Sequence, residues 1–199
     1  FDLTYLRLIP GMVLMSPKDE NELRNMLFTA TKYKRGPVAI RYPRGNALGV
    51  KKGEFELMEI GRGEIVKKGK DVAILAVGNM VENSLNSEKY LEEYGINAEI
   101  INARFIKPLD RELMYDVFKR FDKIITIEDN TIVGGFGSAV AEFAAENNLK
   151  SDILIHGIPD RFIDHAKPEE LHEDLRIDAK GIAEVVKEFL SKEKIHEKV

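Results

Sequence analysis

A continuous apolar run from Val72 to Val77 is the sequence feature that most constrains the fold of this chain. All six of its residues are aliphatic, so a strand built from them must be covered on both faces. Such strands lie inside parallel sheets, because the crossover connections between parallel strands place helices on both sides. The run therefore predicts an α/β fold with its sheet enclosed between two helical layers.

The segments after this run alternate between strand and helix patterns. We predict three more strands, over residues 98–101, 124–127 and 153–158. The helices between them are expected to end near Tyr94, Arg120 and Asn148, and a last helix carries an apolar stripe that includes Ile182 and Val186. This order predicts an open, mostly parallel sheet with helices on both faces and right-handed crossovers.

The apolar pattern of residues 1–48 indicates a second, partial α/β unit. Apolar strands are expected at 12–15 and 38–40, and Leu23, Met26 and Leu27 mark an amphipathic helix between them. Ser16 is predicted to cap this helix, and Pro17 to occupy its first turn.

A charged, glycine-punctuated segment follows the first unit. We predict that it is a linker over residues 49–63, with the larger domain over residues 64–199; the alternative is an ordinary long loop.

Composition removes several functional classes. The 30 Lys and Arg residues against 34 Asp and Glu residues give a net charge of −4, which argues against a nucleic-acid partner. No apolar run is long enough to span a membrane. The chain has no cysteine and no signal-peptide pattern, so we expect a cytoplasmic protein without disulfides or thiolate chemistry. Because it starts at Phe1 rather than Met, we expect a piece of a longer protein.

The glycine-rich turn over residues 134–139 has two interpretations. A turn at a helix N-terminus can present backbone N–H groups to a phosphate. However, the spacing departs from the dinucleotide fingerprint, since Val140 stands where a third small residue is needed. Tight turning and close helix packing are the alternative that we favour.

Acidic and histidine side chains do not form a complete catalytic set. Glu128 ends a strand, where open sheets build their sites, but a solvated turn or a helix cap is the interpretation that we favour. His156, His165, His172 and His196 have no metal-ligand spacing. We therefore predict no catalytic residue, no cofactor-binding residue and no metal ligand in this chain.

Two arginines follow the predicted strand at 38–40, in the string Arg41-Tyr42-Pro43-Arg44-Gly45. Guanidinium groups suit phosphate because their planar fork donates two parallel hydrogen bonds. Pro43 restricts the backbone between them. A salt bridge to a neighbouring acid is the alternative, and the residue types alone do not separate the two.

Six segments of the chain together resemble the 1-deoxy-D-xylulose-5-phosphate synthase family, thiamine-diphosphate enzymes of the transketolase superfamily. The Arg-Tyr-Pro-Arg-Gly-Asn string at 41–46 and the Arg-Phe-Ile-Lys-Pro-Leu-Asp string at 104–110 are the most specific. The remaining matches lie at residues 1–10, 16–23, 128–138 and 157–162.

The resemblance implies a function and a place in a larger enzyme. The family condenses pyruvate with glyceraldehyde 3-phosphate to 1-deoxy-D-xylulose 5-phosphate and carbon dioxide, for isoprenoid, thiamine and pyridoxal synthesis. It implies that this chain is the end of the pyrimidine-binding domain followed by the transketolase C-terminal domain. The family's activating Glu, its substrate His and its diphosphate–Mg²⁺ motif would then lie upstream of Phe1. Only the phosphate-binding arginine carries over, to Arg44.

The resemblance also sets expectations for cofactors and partners. Thiamine diphosphate and Mg²⁺ are expected in the full-length homodimer, and neither in this chain, which is expected to be inactive alone. Its partner would be the rest of its own polypeptide. Two alternatives remain open: a C-terminal piece or split subunit of another transketolase-like or 2-oxoacid dehydrogenase enzyme, and a dimerisation module.

Overall fold

The computed structural model describes residues 1–51 and 53–191, which fold into two sheets with flanking helices. The strands in these residues are β1 (Val13–Met15), β2 (Val38–Ile40), β3 (Glu64–Lys67), β4 (Val72–Ala76), β5 (Ala98–Asn102), β6 (Phe105–Lys107), β7 (Lys123–Thr131) and β8 (Asp152–Ile158). The helices are α1 (Asp2–Arg7), α2 (Glu20–Lys32), α3 (Met80–Asn86), α4 (Glu88–Glu93), α5 (Arg111–Arg120), α6 (Phe136–Glu146), α7 (Pro168–Asp174) and α8 (Ala179–Leu190).

The larger sheet confirms the predicted fold class. Its strand order is β3-β5-β4-β7-β8, in which the last four strands are parallel and β3 runs antiparallel at the edge. The apolar run over residues 72–77 forms β4, at the centre of the sheet. Its residues alternate between two core clusters: Val72 and Ile74 pack on one side, and Ala73 and Leu75 on the other.

Helices cover both faces of this sheet. Helices α1, α5 and α6 contribute Leu3, Val117 and Val140 to one cluster. Helices α3, α4 and α8 contribute residues such as Met80 and Ile182 to the other. Helices therefore cover the central strand β4 on both sides, which explains why β4 carries no polar side chain.

The smaller sheet combines two strands of the N-terminal unit, β1 and β2, with β6, which follows β5 in the chain. Strand β1 pairs in parallel with β2 and antiparallel with β6, so that Met15 lies opposite Phe105. The N-terminal unit therefore completes its sheet with a strand that follows β5 of the larger unit. Strands β3 and β6 and helices α1 and α7 were not predicted from the sequence.

A buried ion network holds the same junction. Glu22 of α2, only 5% exposed, accepts hydrogen bonds from Arg104 Nε at 2.6 Å and from Asn102 Nδ2 at 3.0 Å. Arg104 and Lys18 both reach Glu64, at 2.7 and 2.9 Å. Removing one partner of such a network leaves a buried charge uncompensated, so these residues stabilise one arrangement of the two units.

The predicted start of α2 was wrong. Asp19 is the N-cap, and its carboxylate accepts from the backbone N–H of Glu22 at 2.7 Å. Ser16 instead donates to the carbonyl of Arg41 at 3.0 Å, and Pro17 lies before the helix. The predicted apolar face was also wrong in part, since Leu27 is 51% exposed.

A polar side of α2 also holds the backbone of residues 48–50 and 53–58, in the segment that follows β2. Glu20 accepts from the backbone N–H groups of Leu48, Gly49 and Val50, at 2.7–3.2 Å. Further along the helix, other side chains accept from other backbone groups: Asn21 from Gly53, Asn25 from Glu56, and Thr29 from Met58. The segment thus runs along α2 as a strap held through its backbone.

We expect that replacing Asn25 with Ala and Thr29 with Val together exposes this strap to proteases. Two lost hydrogen bonds lower the free energy of local opening by about 1–2 kcal/mol, so cleavage between residues 53 and 60 should accelerate about tenfold. Timed limited proteolysis with mapped fragments measures this rate. Thr31→Val is the matched control, since its hydroxyl bonds only to Phe28 of the same helix. Equal cleavage of all three proteins would contradict the role of these bonds.

Candidate functional site

The candidate site lies where β2 ends against the carboxyl ends of β4 and β7. Arg41, the first residue after β2, is held through its backbone: its N–H donates to Met15 at 2.8 Å and its carbonyl accepts from Ser16. Its guanidinium crosses to the larger sheet, where Nη2 lies 2.9 Å from the carbonyl of Asp129 and 3.1 Å from its carboxylate. Asn79, just after β4, accepts from Nη1 at 3.4 Å.

Arg44 stands in a different environment, three residues further along. It is exposed, and among residues 1–51 and 53–191 the structure gives its guanidinium no hydrogen-bond or ion-pair partner. Arg41 therefore follows the salt-bridge interpretation, whereas Arg44 presents five unused N–H donors to solvent. An anion with two or three oxygens matches that donor set best.

The backbone N–H groups of the glycine-rich turn bind a side chain of the protein itself, the carboxylate of Glu128. Both oxygens of Glu128 accept backbone hydrogen bonds at the N-terminus of α6, from Phe136 at 2.7 Å and from Gly137 at 2.8 Å. Asn130 adds a third donor at 3.4 Å. This carboxylate takes the place that a phosphate would need at the helix N-terminus. The arrangement supports the packing interpretation of the turn and assigns Glu128 to it.

The glycines of that turn are required by close contacts. A Cβ on Gly135 would overlap the Glu128 carboxylate and come within 2.8 Å of Asn130 Nδ2. A Cβ on Gly137 would meet Thr126 Oγ1 at 2.5 Å as well as the side chain of Ile155. Burial raises the pKa of the Glu128 carboxyl to about 7, although the Gly137 and Phe136 N–H groups act in the opposite direction.

Helix α1 docks on the same turn. Thr4 donates to the carbonyl of Val133 at 3.0 Å and accepts from Asn130 at 3.1 Å. Arg7 donates to the carbonyl of Gly134 at 3.0 Å and forms a two-pronged ion pair with Glu142. The turn therefore serves as a second junction between the N-terminal unit and the larger sheet.

The histidines stay apart from one another. His156 lies on β8 with Nε2 at 2.9 Å from the carbonyl of Arg176, and burial lowers its pKa. His172 Nε2 lies 4.0 Å from the Asp129 carboxylate, at the rim of the candidate site. His165 is exposed in the loop before α7, and His196 lies outside the described residues.

Metal and membrane features can be stated for the described part of the chain. There, no three His, Cys, Asp or Glu side chains converge in a way that could hold a metal ion. The helices of that part are too short or too polar to cross a bilayer.

Sequence reasoning missed the partner of Arg41. Asp129 is separated from it by 88 positions. Glu128, Asp129 and Asn130 were visible as an acidic end of a strand, but no local pattern states which side of the strand each one faces. The register of β7 against β8 shifts between Ile127 and Thr131, and such a bulge redirects the side chains within it.

Comparison with known protein families settles the family. The sequence model described as the transketolase C-terminal domain matches residues 61–182, and the one described as the transketolase pyrimidine binding domain matches residues 1–48. The chain belongs to the transketolase family. The resemblance predicted from the Arg-Pro strings is thereby confirmed.

Curated relatives within this family carry the name 1-deoxy-D-xylulose-5-phosphate synthase. The protein of Aquifex aeolicus is 46% identical over 190 residues, and that of Thermomicrobium roseum 47% over 192 residues. Each alignment covers 96% of this chain and 30% of the relative. The chain therefore spans about 30% of the length of these relatives.

Solved transketolase structures share the architecture. One described as a split-gene transketolase, an inactive beta4 tetramer, superposes with a TM-score of 0.78 at 30% identity, covering 96% of this chain and 60% of that one. A transketolase mutant from Pichia stipitis gives a TM-score of 0.74 at 19% identity, over 96% of this chain and 27% of its own. The second likeness concerns the fold alone.

Proposed function

We propose that this chain is the C-terminal part of a thiamine-diphosphate-dependent transferase that condenses pyruvate and glyceraldehyde 3-phosphate. The products would be 1-deoxy-D-xylulose 5-phosphate and carbon dioxide, which serve isoprenoid, thiamine and pyridoxal synthesis. The names of the curated relatives and the two family matches support this assignment. The chain's own contribution to the reaction is the binding of the acceptor's phosphate by Arg44.

The observation that carries this role is the contrast between the two arginines. Arg41 is neutralised by Asp129 and anchored on both sides of the backbone, whereas Arg44 extends from that anchored turn with its guanidinium exposed. A phosphate is the substrate group that suits such a guanidinium, because it accepts two parallel hydrogen bonds. Binding the phosphate far from the reacting carbon would orient the aldehyde for carbon–carbon bond formation.

The remaining parts of the proposal concern the larger protein. Thiamine diphosphate and Mg²⁺ would be held by the 70% of the relatives' length that lies outside the aligned region, and this chain alone would be inactive. The full-length enzyme would be a cytoplasmic homodimer. In it, the two junctions described above would fix the larger sheet beside the acceptor site.

Replacing Arg44 with Ala in the full-length enzyme is the test. We expect the KM for glyceraldehyde 3-phosphate to rise about tenfold to a hundredfold, because a charge-assisted contact of about 1.5–3 kcal/mol is lost. The KM for pyruvate should stay nearly unchanged. Arg44→Lys should recover only part of the loss, since an ammonium cannot reproduce the fork. Steady-state kinetics with each substrate varied in turn measures all of these values.

Two controls separate phosphate binding from general damage. Arg35→Ala removes an exposed arginine at the opposite end of β2 and should leave the kinetics unaltered. Unphosphorylated glyceraldehyde should be an equally poor acceptor for the Arg44 variant and for the wild type. If the variant loses activity toward both acceptors in equal proportion, Arg44 is a structural residue and the proposed site is wrong.

A split subunit of another transketolase-like enzyme is the second candidate. The similarity to a structure described as a split-gene transketolase favours it, since the aligned region makes up 60% of that chain, against 27% of the Pichia stipitis transketolase. Under this alternative, activity would appear only when a separate thiamine-diphosphate-binding subunit is added. Sequencing the reading frame upstream of Phe1 distinguishes a fused enzyme from a split one.

A further inference from the structure

The position of Arg44 depends on how the turn before it is held. No described residue contacts the Arg44 side chain through a hydrogen bond or an ion pair, so its own guanidinium supplies no anchor. Only Tyr42 and Pro43 separate it from Arg41, and Pro43 fixes one of the intervening backbone angles. Whatever fixes Arg41 therefore also limits where the Arg44 guanidinium can lie.

Arg41 is fixed by groups from both units of the structure. The smaller sheet holds its backbone through Met15 and Ser16, and the larger unit holds its guanidinium through Asp129 and Asn79. Asp129 is the main partner, because it offers both a carbonyl and a carboxylate oxygen to one guanidinium nitrogen. Both side chains are 19% exposed, so the pair is only weakly screened by solvent.

The carboxylate of Asp129 is itself held in place. Asn79 donates to its Oδ2 at 3.4 Å, and His172 Nε2 lies 4.0 Å from the same oxygen. The shift in register between β7 and β8 lies at this position, next to Gly157, where a Cβ would come within 2.6 Å of the Glu128 carbonyl. The register shift in the larger sheet therefore lies at the residue that accepts hydrogen bonds from Arg41.

The charge of the pair matters as much as its geometry. With Asp129 beside it, Arg41 is paired with an acid of the protein and Arg44 remains the arginine of this turn that is open to an incoming phosphate. Without Asp129, Arg41 would keep its backbone anchors and one weak contact to Asn79, at 3.4 Å, and its side chain would be free to move. The Arg41–Arg44 turn would then lose its only ion pair to the larger sheet within the described residues.

We propose that Asp129 is a positioning residue for the acceptor phosphate: it braces Arg41, and through the Arg41–Arg44 turn it sets the place of the Arg44 guanidinium. The larger sheet, which has no catalytic residue of its own in this account, would thereby tune the affinity of the active site for phosphorylated acceptors. This inference rests on the proposed role of Arg44.

The test replaces Asp129 with Ala in the full-length holoenzyme and compares two acceptors. We expect the KM for glyceraldehyde 3-phosphate, and the inhibition constant of inorganic phosphate, to rise about threefold to tenfold, as for the loss of one hydrogen-bonded brace. Turnover at saturation and activity with unphosphorylated glyceraldehyde should stay near the wild-type values. Asp129→Asn keeps an acceptor oxygen for Arg41 and should restore most of the affinity.

Further variants keep the result interpretable. Asp152→Ala is the matched control, since it removes an exposed Asp–Lys pair with Lys123 at the other end of β7 and should change nothing. Arg41→Ala removes the other partner of the ion pair, and we expect it to show the same rise in KM for glyceraldehyde 3-phosphate. It serves as the test if Asp129→Ala fails to fold. The double variant should be no worse than the more affected single variant, because both act as one unit.

Three outcomes would overturn the inference: unchanged phosphate affinity in Asp129→Ala, equal losses with both acceptors, or tighter phosphate binding. The last would mean that a freed Arg41 is itself a phosphate ligand. Arg44→Ala measured in parallel separates the positioning role of Asp129 from the phosphate-binding role of Arg44. If Arg44→Ala lowers phosphate affinity and Asp129→Ala does not, only the positioning role fails; if Arg44→Ala has no effect, the proposed site itself fails.

Discussion

Replacing Gly135 with alanine should destabilise the chain by about 3–5 kcal/mol, which combines overpacking with the loss of buried hydrogen bonds. The backbone at Gly135, with φ at −82°, accepts any residue, so the effect is steric and not conformational. The new methyl group would overlap the Glu128 carboxylate and displace it from the N–H groups of Phe136 and Gly137. A buried carboxylate and two helix N–H groups would then lack partners.

Urea unfolding of the 199-residue chain, followed by circular dichroism, measures this change. Gly45→Ala is the matched control, because a Cβ there has no neighbour within 4 Å, and its stability should match the wild type. If Gly135→Ala is as stable as Gly45→Ala, the Glu128 carboxylate does not occupy the helix N-terminus as described.

The free energy of unfolding should also fall with rising pH because of Glu128. Burial raises the pKa of this carboxyl to about 7 in the folded chain, against an ordinary value of 4.5. Between these values the folded state keeps a proton that the unfolded state has released. The stabilisation is therefore complete below pH 4.5 and is lost as the pH rises through 7, by about 3 kcal/mol over that range.

Comparison with Glu128→Gln isolates this contribution. Other titrating groups affect both proteins alike, so the difference in unfolding free energy between wild type and variant should change by about 3 kcal/mol between pH 4 and pH 8. The free energy of unfolding of the wild type should fall, relative to that of the variant, as the pH rises. A difference that stays constant would show that the three N–H donors offset the effect of burial, so that Glu128 has the same pKa in the folded and the unfolded chain.

The parts of the fold that sequence predicts well are those decided by local patterns. The run at β4 has no polar position, so only a strand covered on both faces can accommodate it. The apolar stripe of α8 likewise carries its own signal. In these segments the local preference and the tertiary environment agree.

The missed elements depend on partners that are distant in the sequence. Strand β6 has three residues, and it forms because Phe105 meets Met15 across 90 positions. Strand β3 is an edge strand with two charged residues among its four, Glu64 and Lys67, so it has no continuous apolar run. Helix α2 shows the same limit, since its buried polar residues are explained only by distant partners: the strap bonds to Asn25 and Thr29, and Arg104 bonds to Glu22.

The candidate site divides in the same way. The Arg41–Gly45 string indicated an anion site or a salt bridge, and the structure shows the salt bridge at Arg41. The choice of Arg44 came from the family resemblance and stays a prediction until it is tested. The role of Asp129 depends on the register shift between β7 and β8 and on packing between the two units. Neither feature can be predicted from the residues around Asp129.

The most direct test of the central claim is a crystal structure of the full-length enzyme with glyceraldehyde 3-phosphate bound. The account predicts that the Arg44 guanidinium donates two hydrogen bonds to the phosphate, at about 2.7–2.9 Å. Arg41 should remain paired with Asp129 in the same crystal. A phosphate bound elsewhere, with the Arg44 side chain still free in solvent, would contradict the account.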